Sequence, residues 1–264
     1  MFVKLNILIT LGAVSLSVFY ILIAQGQHIG SCLKSDNNHF YRIKQMAEKL
    51  SKTFDIPEPE IFIHCQPYLN AHTIGFKHPY SIVLTSRLVE SLDEEELEAV
   101  IAHEFGHAFF NHPRISTIFQ PGGEKIPILT TLSNLILGFW NRECEYNCDR
   151  AAIWATKNPK AVINVLTKIS IGPSFLEHID EDKLLSQSME SKQNIFSRIG
   201  ETFETHPYLV NRINNALKYA KAEGITYIKG GEMFCTACGK KCAVNCSFCI
   251  SCGLDLRPKQ KISD

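Results

Sequence analysis

The sequence lacks a net charge, lacks an internal repeat and, outside its C-terminal tail, has little cysteine. Lys plus Arg number 27 and Asp plus Glu 27, so the formal charge is zero. That balance argues against a nucleic-acid binder working through bulk positive charge. The missing repeat removes solenoid architectures. Residues 5–24 contain no charged side chain, and no clear A-x-A site follows them. The run is long for the apolar core of a signal peptide. As a helix it just spans a bilayer core of ~30 Å, so an uncleaved anchor over residues 1–26 is expected. Lys34, Arg42 and Lys44 follow it closely, against Lys4 before it. The positive-inside rule then places the C-terminal side in the cytoplasm.

What is present is a chain of 264 residues with 45% apolar content, enough for one medium domain and small appendages. Residues 40–54 have the apolar spacing of an amphipathic helix, ended by Pro57 and Pro59. Residues 61–63, 70–76 and 81–84 read as extended segments. Ser91 and Glu94 have capping-box spacing, and four acidic residues load the turn that follows. The helix they open is expected to reach about Asn111, before Pro113. Residues 126–140 are apolar but only fifteen long, which predicts a core or membrane-grazing helix. Further helices are expected over 141–156, 160–170 and 208–222, with 176–198 polar and mobile.

The strongest helix contains His103-Glu104-Phe105-Gly106-His107. Histidines four apart share a face, so both imidazoles reach one metal ion. A catalytic zinc takes about three protein ligands and keeps a place for water. Glu104 stands beside that place as general base. Gly106 allows a close approach of backbone or substrate. The third ligand is expected from the helix carrying Glu145 and Asp149, again four apart. Glu145 is assigned to the metal, and Asp149 to the free ring N–H of His103. Cys144 and Cys148 lie on another edge and are read as core.

These motifs resemble, in four ordered blocks, the membrane zinc peptidases that include HtpX and the CAAX prenyl proteases. The blocks are Asn70-Ala71 with Gly75 and Ile82-Val83-Leu84-Thr85; Leu92 to His107; Asn141-Arg142 through Asp149-Arg150-Ala151-Ala152; and Thr205-His206-Pro207 with Arg212-Ile213. The resemblance implies an α+β, mainly helical zincin-type domain with a small β-sheet whose edge strand binds substrate. It implies His103, His107 and Glu145 as zinc ligands, Glu104 as base, His206 as oxyanion stabiliser and Arg212 as a site-organising cation. Asn70, Ala71 and Gly75 would hold an extended polypeptide by β-augmentation. Cys148 stands where the family has a small alanine, and Asn141 where it has a serine. Family members carry two or more membrane spans; this chain has one candidate.

Two C-x-x-C-G knuckles, Cys235/Cys238 and Cys249/Cys252, follow a Gly230-Gly231 hinge. Each directs two thiolates at one ion, so residues 231–264 are expected to form a zinc ribbon with a structural Zn2+. Cys242 and Cys246 are spare or alternative ligands. Thiolates of this kind fit a reducing compartment. The expected organisation is therefore a membrane anchor (1–26), a zinc metallopeptidase domain (27–230) and the ribbon (231–264). It would cleave membrane-associated or misfolded proteins at the cytoplasmic face. The ribbon suits a protein partner, with no nucleic acid. The alternative is a non-enzymatic scaffold acting through the ribbon.

Overall fold

The computed structural model describes residues 2–119, 127–178, 181–201, 204, 206–225, 227–229, 232–234, 237–238, 240–243, 248–249 and 251–254. Ten helices and seven strands run through these residues. Helix α1 spans Phe2–Ser31. Strand β1 (Leu33–Lys34) and helix α2 (Tyr41–Phe54) follow. Strands β2 (Glu60–His64), β3 (Ala71–Ile74) and β4 (Ser81–Thr85) complete a four-stranded sheet in the order β1-β2-β4-β3. β2 and β4 are parallel, while β1 and β3 pair antiparallel at the two edges. β4 is buried at every position, as a central strand of β-branched and apolar residues should be.

After α3 (Ser86–Ser91) comes α4 (Glu94–Phe109), the central helix. Its N-cap is Asp93, two residues later than the Ser91 start expected from sequence. Asp93 accepts from the backbone N–H of Glu96, and the Glu96 side chain returns to the Asp93 N–H. Glu96, 2% exposed, also pairs with Lys168 of α7 at 2.6 Å, so the cap is tied into the core. Leu97, Val100, Ile101 and Phe105 are buried in the main cluster with Ile43 and Leu50 of α2. α4 stops at Phe109; Asn111 takes a left-handed φ of 57°, and His112 opens α5 (His112–Phe119). The Pro after His112 suits the first turn of a new helix, where its missing N–H has no partner to lose.

The two helices expected over 126–140 and 141–156 are one helix, α6 (Pro127–Thr156). No Gly-Pro break separates Trp140 from Asn141, so the polar boundary changes the helix's surroundings and not its path. The Pro121-Gly122-Gly123 loop and Ile126 lie outside the described residues, as do the side chains of 127–137. α7 (Pro159–Ile171) is capped by Asn158, whose side chain accepts from the Ala161 N–H, with Pro159 at the first position. The stretch read as polar and mobile (176–198) holds α8 (Glu181–Gln193) and α9 (Ile195–Glu201), after a 3-10 turn (Pro173–His178). α10 (Leu209–Ala222) closes the domain against α6, α7 and α8.

Among the described residues no helix is long and apolar enough to cross a membrane. Residue 1 and the side chains of 2–10, 13, 17 and 24 lie outside that set, so half of the anchor expected over 1–26 falls there. In the described part of α1, Leu11, Leu16, Phe19 and Leu22 are exposed. Its C-terminal half rests on the sheet, where Gln25 Nε2 donates to the Ile74 carbonyl and Ser81 Oγ at 3.4 Å. At the other end β5 (Tyr227–Lys229), β6 (Glu232–Phe234) and β7 (Lys241–Ala243) form an antiparallel sheet in the tail.

Candidate active site

α4, α6, α7, β3 and the turn before α10 enclose a cavity of about 760 Å³. Its polar lining is His103, Glu104, His107, Glu145, Asp149, His206 and Arg212; Val100, Val162, Val165 and Leu166 are among its apolar lining.

α4 places His103 and His107 one turn apart, with their Nε2 atoms 3.3 Å from each other. α6 runs alongside and brings Glu145 to the same point. Its Oε2 lies 3.6 Å from His103 Nε2, and its Oε1 3.4 Å from His107 Nε2. Close approach of α4 and α6 depends on Gly106. A Cβ there would meet Cys148 Cα at 3.1 Å and Ala151 Cβ at 3.3 Å. The close neighbour that Gly106 admits is therefore the backbone of α6.

A second layer fixes these groups. Asp149 is fully buried, and its Oδ1 lies 3.0 Å from His103 Nδ1. Arg212 of α10 clasps Asp149 through Nε at 2.9 Å and Nη2 at 2.7 Å, and its Nη1 reaches Glu145 Oε2 at 3.1 Å. His206 has an exposed side chain, with Nδ1 3.3 Å from Glu145 Oε2. Thr205 lies outside the described residues.

The charges follow from this arrangement. Burial opposes ionisation of Glu145, but Arg212 and the histidines hold its carboxyl well below the usual range. Burial works against Asp149 in the same way, and Arg212 outweighs it. The Glu145 hydrogen bond raises the proton affinity of His206. Burial lowers that of His107, but Cys148 and Glu145 more than offset it.

His112 and Thr73 were not singled out in the sequence. His112 is buried, with Nδ1 3.1 Å from His107 Nδ1, and burial drops its pKa to about 3. It therefore stays neutral and faces the edge of His107 away from Nε2. Its signal was a third histidine five residues past His107. Cys148 is buried, as a core residue is, but its Sγ also lies 3.6 Å from His112 Nδ1. Cys148, His103 and His107 could together hold a metal ion, since their donor atoms lie within 4.8 Å of one another. The thiol's neighbour His112 sits at the Nδ1 edge of His107, whereas Glu145 faces both Nε2 atoms. Burial also pushes the Cys148 pKa to about 11.

Thr73 of β3 donates to Glu104, which is 5% exposed. Period-two alternation was its signal, because Thr73 shares the face of Ala71. Asn70 and Ala71 line the cavity. Gly75 ends β3 with φ of +142°, and a Cβ there would meet Tyr80 Cδ1 at 2.8 Å. Its place is the turn behind the edge strand.

In the tail, Cys238, Cys249 and Cys252 bring their sulfurs within 4.8 Å of one another. Gly253, with φ of +75°, bends the chain after Cys252. Cys235, Cys246 and the side chain of Cys242 lie outside the described residues.

The α4–α6 site is of the metallohydrolase kind, and comparison with known proteins assigns the family. The profile of peptidase family M48 matches residues 37–220. The chloroplastic plastoglobule-localized metallopeptidase 48 of Arabidopsis thaliana is 30% identical over 185 residues, covering 66% of this chain and 53% of its own length. A protease HtpX homolog of Helicobacter pylori strain J99 is 30% identical over 222 residues, covering 70% of this chain and 68% of its own. The crystal structure of S. mikatae Ste24p is similar at a TM-score of 0.49 and 16% identity, over 81% of this chain and 57% of that one. The chain spans about half the length of the first relative and about two thirds of the second. It belongs to peptidase family M48, a family of metallopeptidases.

Proposed function

We propose that this chain is a zinc-dependent endopeptidase acting on membrane-associated or misfolded proteins. The observation that carries the reading is the convergence of two Nε2 atoms and one carboxylate on a single point of the cavity wall, with Glu104 beside them. Two imidazoles and a carboxylate are a donor set that zinc accepts with a position left for water. His103, His107 and Glu145 would hold the ion, and Asp149 would fix the ring of His103. When bound, zinc supplies Lewis acidity that lowers the pKa of water and polarises a carbonyl.

The remaining work falls to the chain's own groups. Glu104 takes the proton of the attacking water and later delivers it to the leaving amine. His206 turns a ring N–H towards the oxyanion. The substrate lies as an extended strand along β3, at Asn70 and Ala71, with Gly75 shaping the turn that ends the edge; among the described residues the only strand that pairs with β3 is β4. The exposed apolar face of α1 supports the N-terminal helix (1–26) as a membrane tether for the peptidase domain (27–230). Cys235, Cys238, Cys249 and Cys252 would hold a structural zinc in the ribbon (231–264), a docking module for a protein partner in the cytoplasm. Membership of a peptidase family does not favour the non-enzymatic scaffold.

Chelation tests the reading. Cleavage of an unfolded protein substrate should vanish after dialysis against a chelator and return on addition of zinc. Turnover that survives chelation with the metal shown to be gone would remove the ion from the reaction.

A further inference from the structure

Thr73 stands on the edge strand, and its hydroxyl points at the base. Oγ1 lies 2.7 Å from Glu104 Oε2 and 3.0 Å from the Glu104 backbone carbonyl. A hydroxyl has one proton to give, and the charged oxygen is the stronger acceptor. Glu104 is held to its helix by freely turning side-chain bonds, so one pinned oxygen fixes where the other points.

We propose that Thr73 is a positioning residue for the general base: its hydroxyl pins Oε2 of Glu104 and leaves Oε1 turned to the cavity beside His103 and His107. The inference rests on the peptidase reading and deepens it. In the attack step a proton leaves the water oxygen for Oε1. The O–H electron pair stays on that oxygen, which forms the bond to the carbonyl carbon as the C=O π pair moves onto the carbonyl oxygen. As Glu104 loses its charge, the carbonyl at 3.0 Å competes for the Thr73 proton, so the hydroxyl is satisfied before and after the transfer. Thr73 also belongs to the strand that an extended peptide would pair with. Docking on β3 and aiming of the base are thereby joined in one residue: a peptide that seats β3 firmly also holds Glu104 in register.

The contact is separable from a role in strand docking. Thr73→Val keeps the shape and the strand propensity but loses the hydroxyl. Thr73→Ser keeps the hydroxyl. Steady-state cleavage should show kcat about ten-fold lower in Thr73→Val, with KM within about two-fold of wild type, and recovery in Thr73→Ser. A second readout needs neither metal nor turnover. In urea unfolding of the metal-free protein, Thr73→Val and Glu104→Ala should be non-additive, because each removes the same contact. Wild-type kcat in Thr73→Val, a change confined to KM, a Thr73→Ser variant as slow as Thr73→Val, or additive unfolding effects would each overturn the proposal. Failure of the peptidase reading appears elsewhere, as full turnover in Glu104→Gln, and the unfolding cycle still decides whether Thr73 and Glu104 are coupled.

Discussion

Asp149 and Arg212 face each other with both side chains largely out of water, one 1% and the other 13% exposed. Two parallel N–H···O bonds join them, and the same carboxylate supports His103. Removing one partner of such a pair leaves the other charge buried, which costs about 3–5 kcal/mol. Asp149→Asn should therefore destabilise the metal-free protein by roughly that amount at pH 7. The pH dependence has a definite sign. The folded pKa of Asp149 lies below its ordinary value, so its stabilisation is complete above the unfolded pKa of ~3.9 and is lost as pH falls through the lower folded value. Urea unfolding should show a constant gap between wild type and variant from about pH 7 to 5, closing below about pH 4. A gap that widens on acidification would contradict the assignment. At this scale the sequence was legible where helical spacing decides: His103/His107 and Glu145/Asp149 are both four apart, and both pairs meet. It was silent where chain-distant groups meet. Thr73 reaches Glu104 across thirty-one positions, and no local pattern encodes that distance.

At the scale of elements, the site is the line of contact between α4 and α6. Gly106 is the position that permits it, with Cys148 Cα and Sγ at 3.1 and 3.2 Å from a would-be Cβ. Alanine is worth about 1 kcal/mol more than glycine in a helix interior. Here the neighbour is helix backbone, which does not swing aside, so overpacking by about 1–3 kcal/mol outweighs that gain. Gly106→Ala should lower the urea midpoint and weaken metal binding together, because the ligands sit on the two helices being pushed apart. A stabilised variant with unchanged metal affinity would contradict the packing argument. Helix boundaries were less legible than helices. Ser91 and Asp93 are both good caps, and tertiary contacts chose Asp93, whose partner Glu96 is claimed again by Lys168. Polarity shifts at Trp140–Asn141, yet nothing in the backbone stops there and α6 continues through it.

At the scale of the whole molecule, the proposed organisation is a tether, a catalytic domain and a metal-folded tail. In the proposed reading a metal ion held at the three clustered sulfurs of the tail would stabilise a segment too small to form a core of its own. Metal analysis of the purified chain should give two zinc ions. Replacing His103 and His107 should remove one, and replacing Cys238 and Cys252 the other. A wild-type chain that holds a single ion, with the same content in the histidine variant, would leave the catalytic site without its metal. Orientation is tested by protease access to the tail in sealed membranes: the cytoplasmic placement predicts cleavage from the cytoplasmic face alone. The central claim, that Glu104 activates water at a site built by His103, His107 and Glu145, is tested most directly by Glu104→Gln. That variant should hold as much zinc as wild type and cleave peptide at least about a hundred-fold more slowly. Equal metal content with undiminished turnover would contradict it.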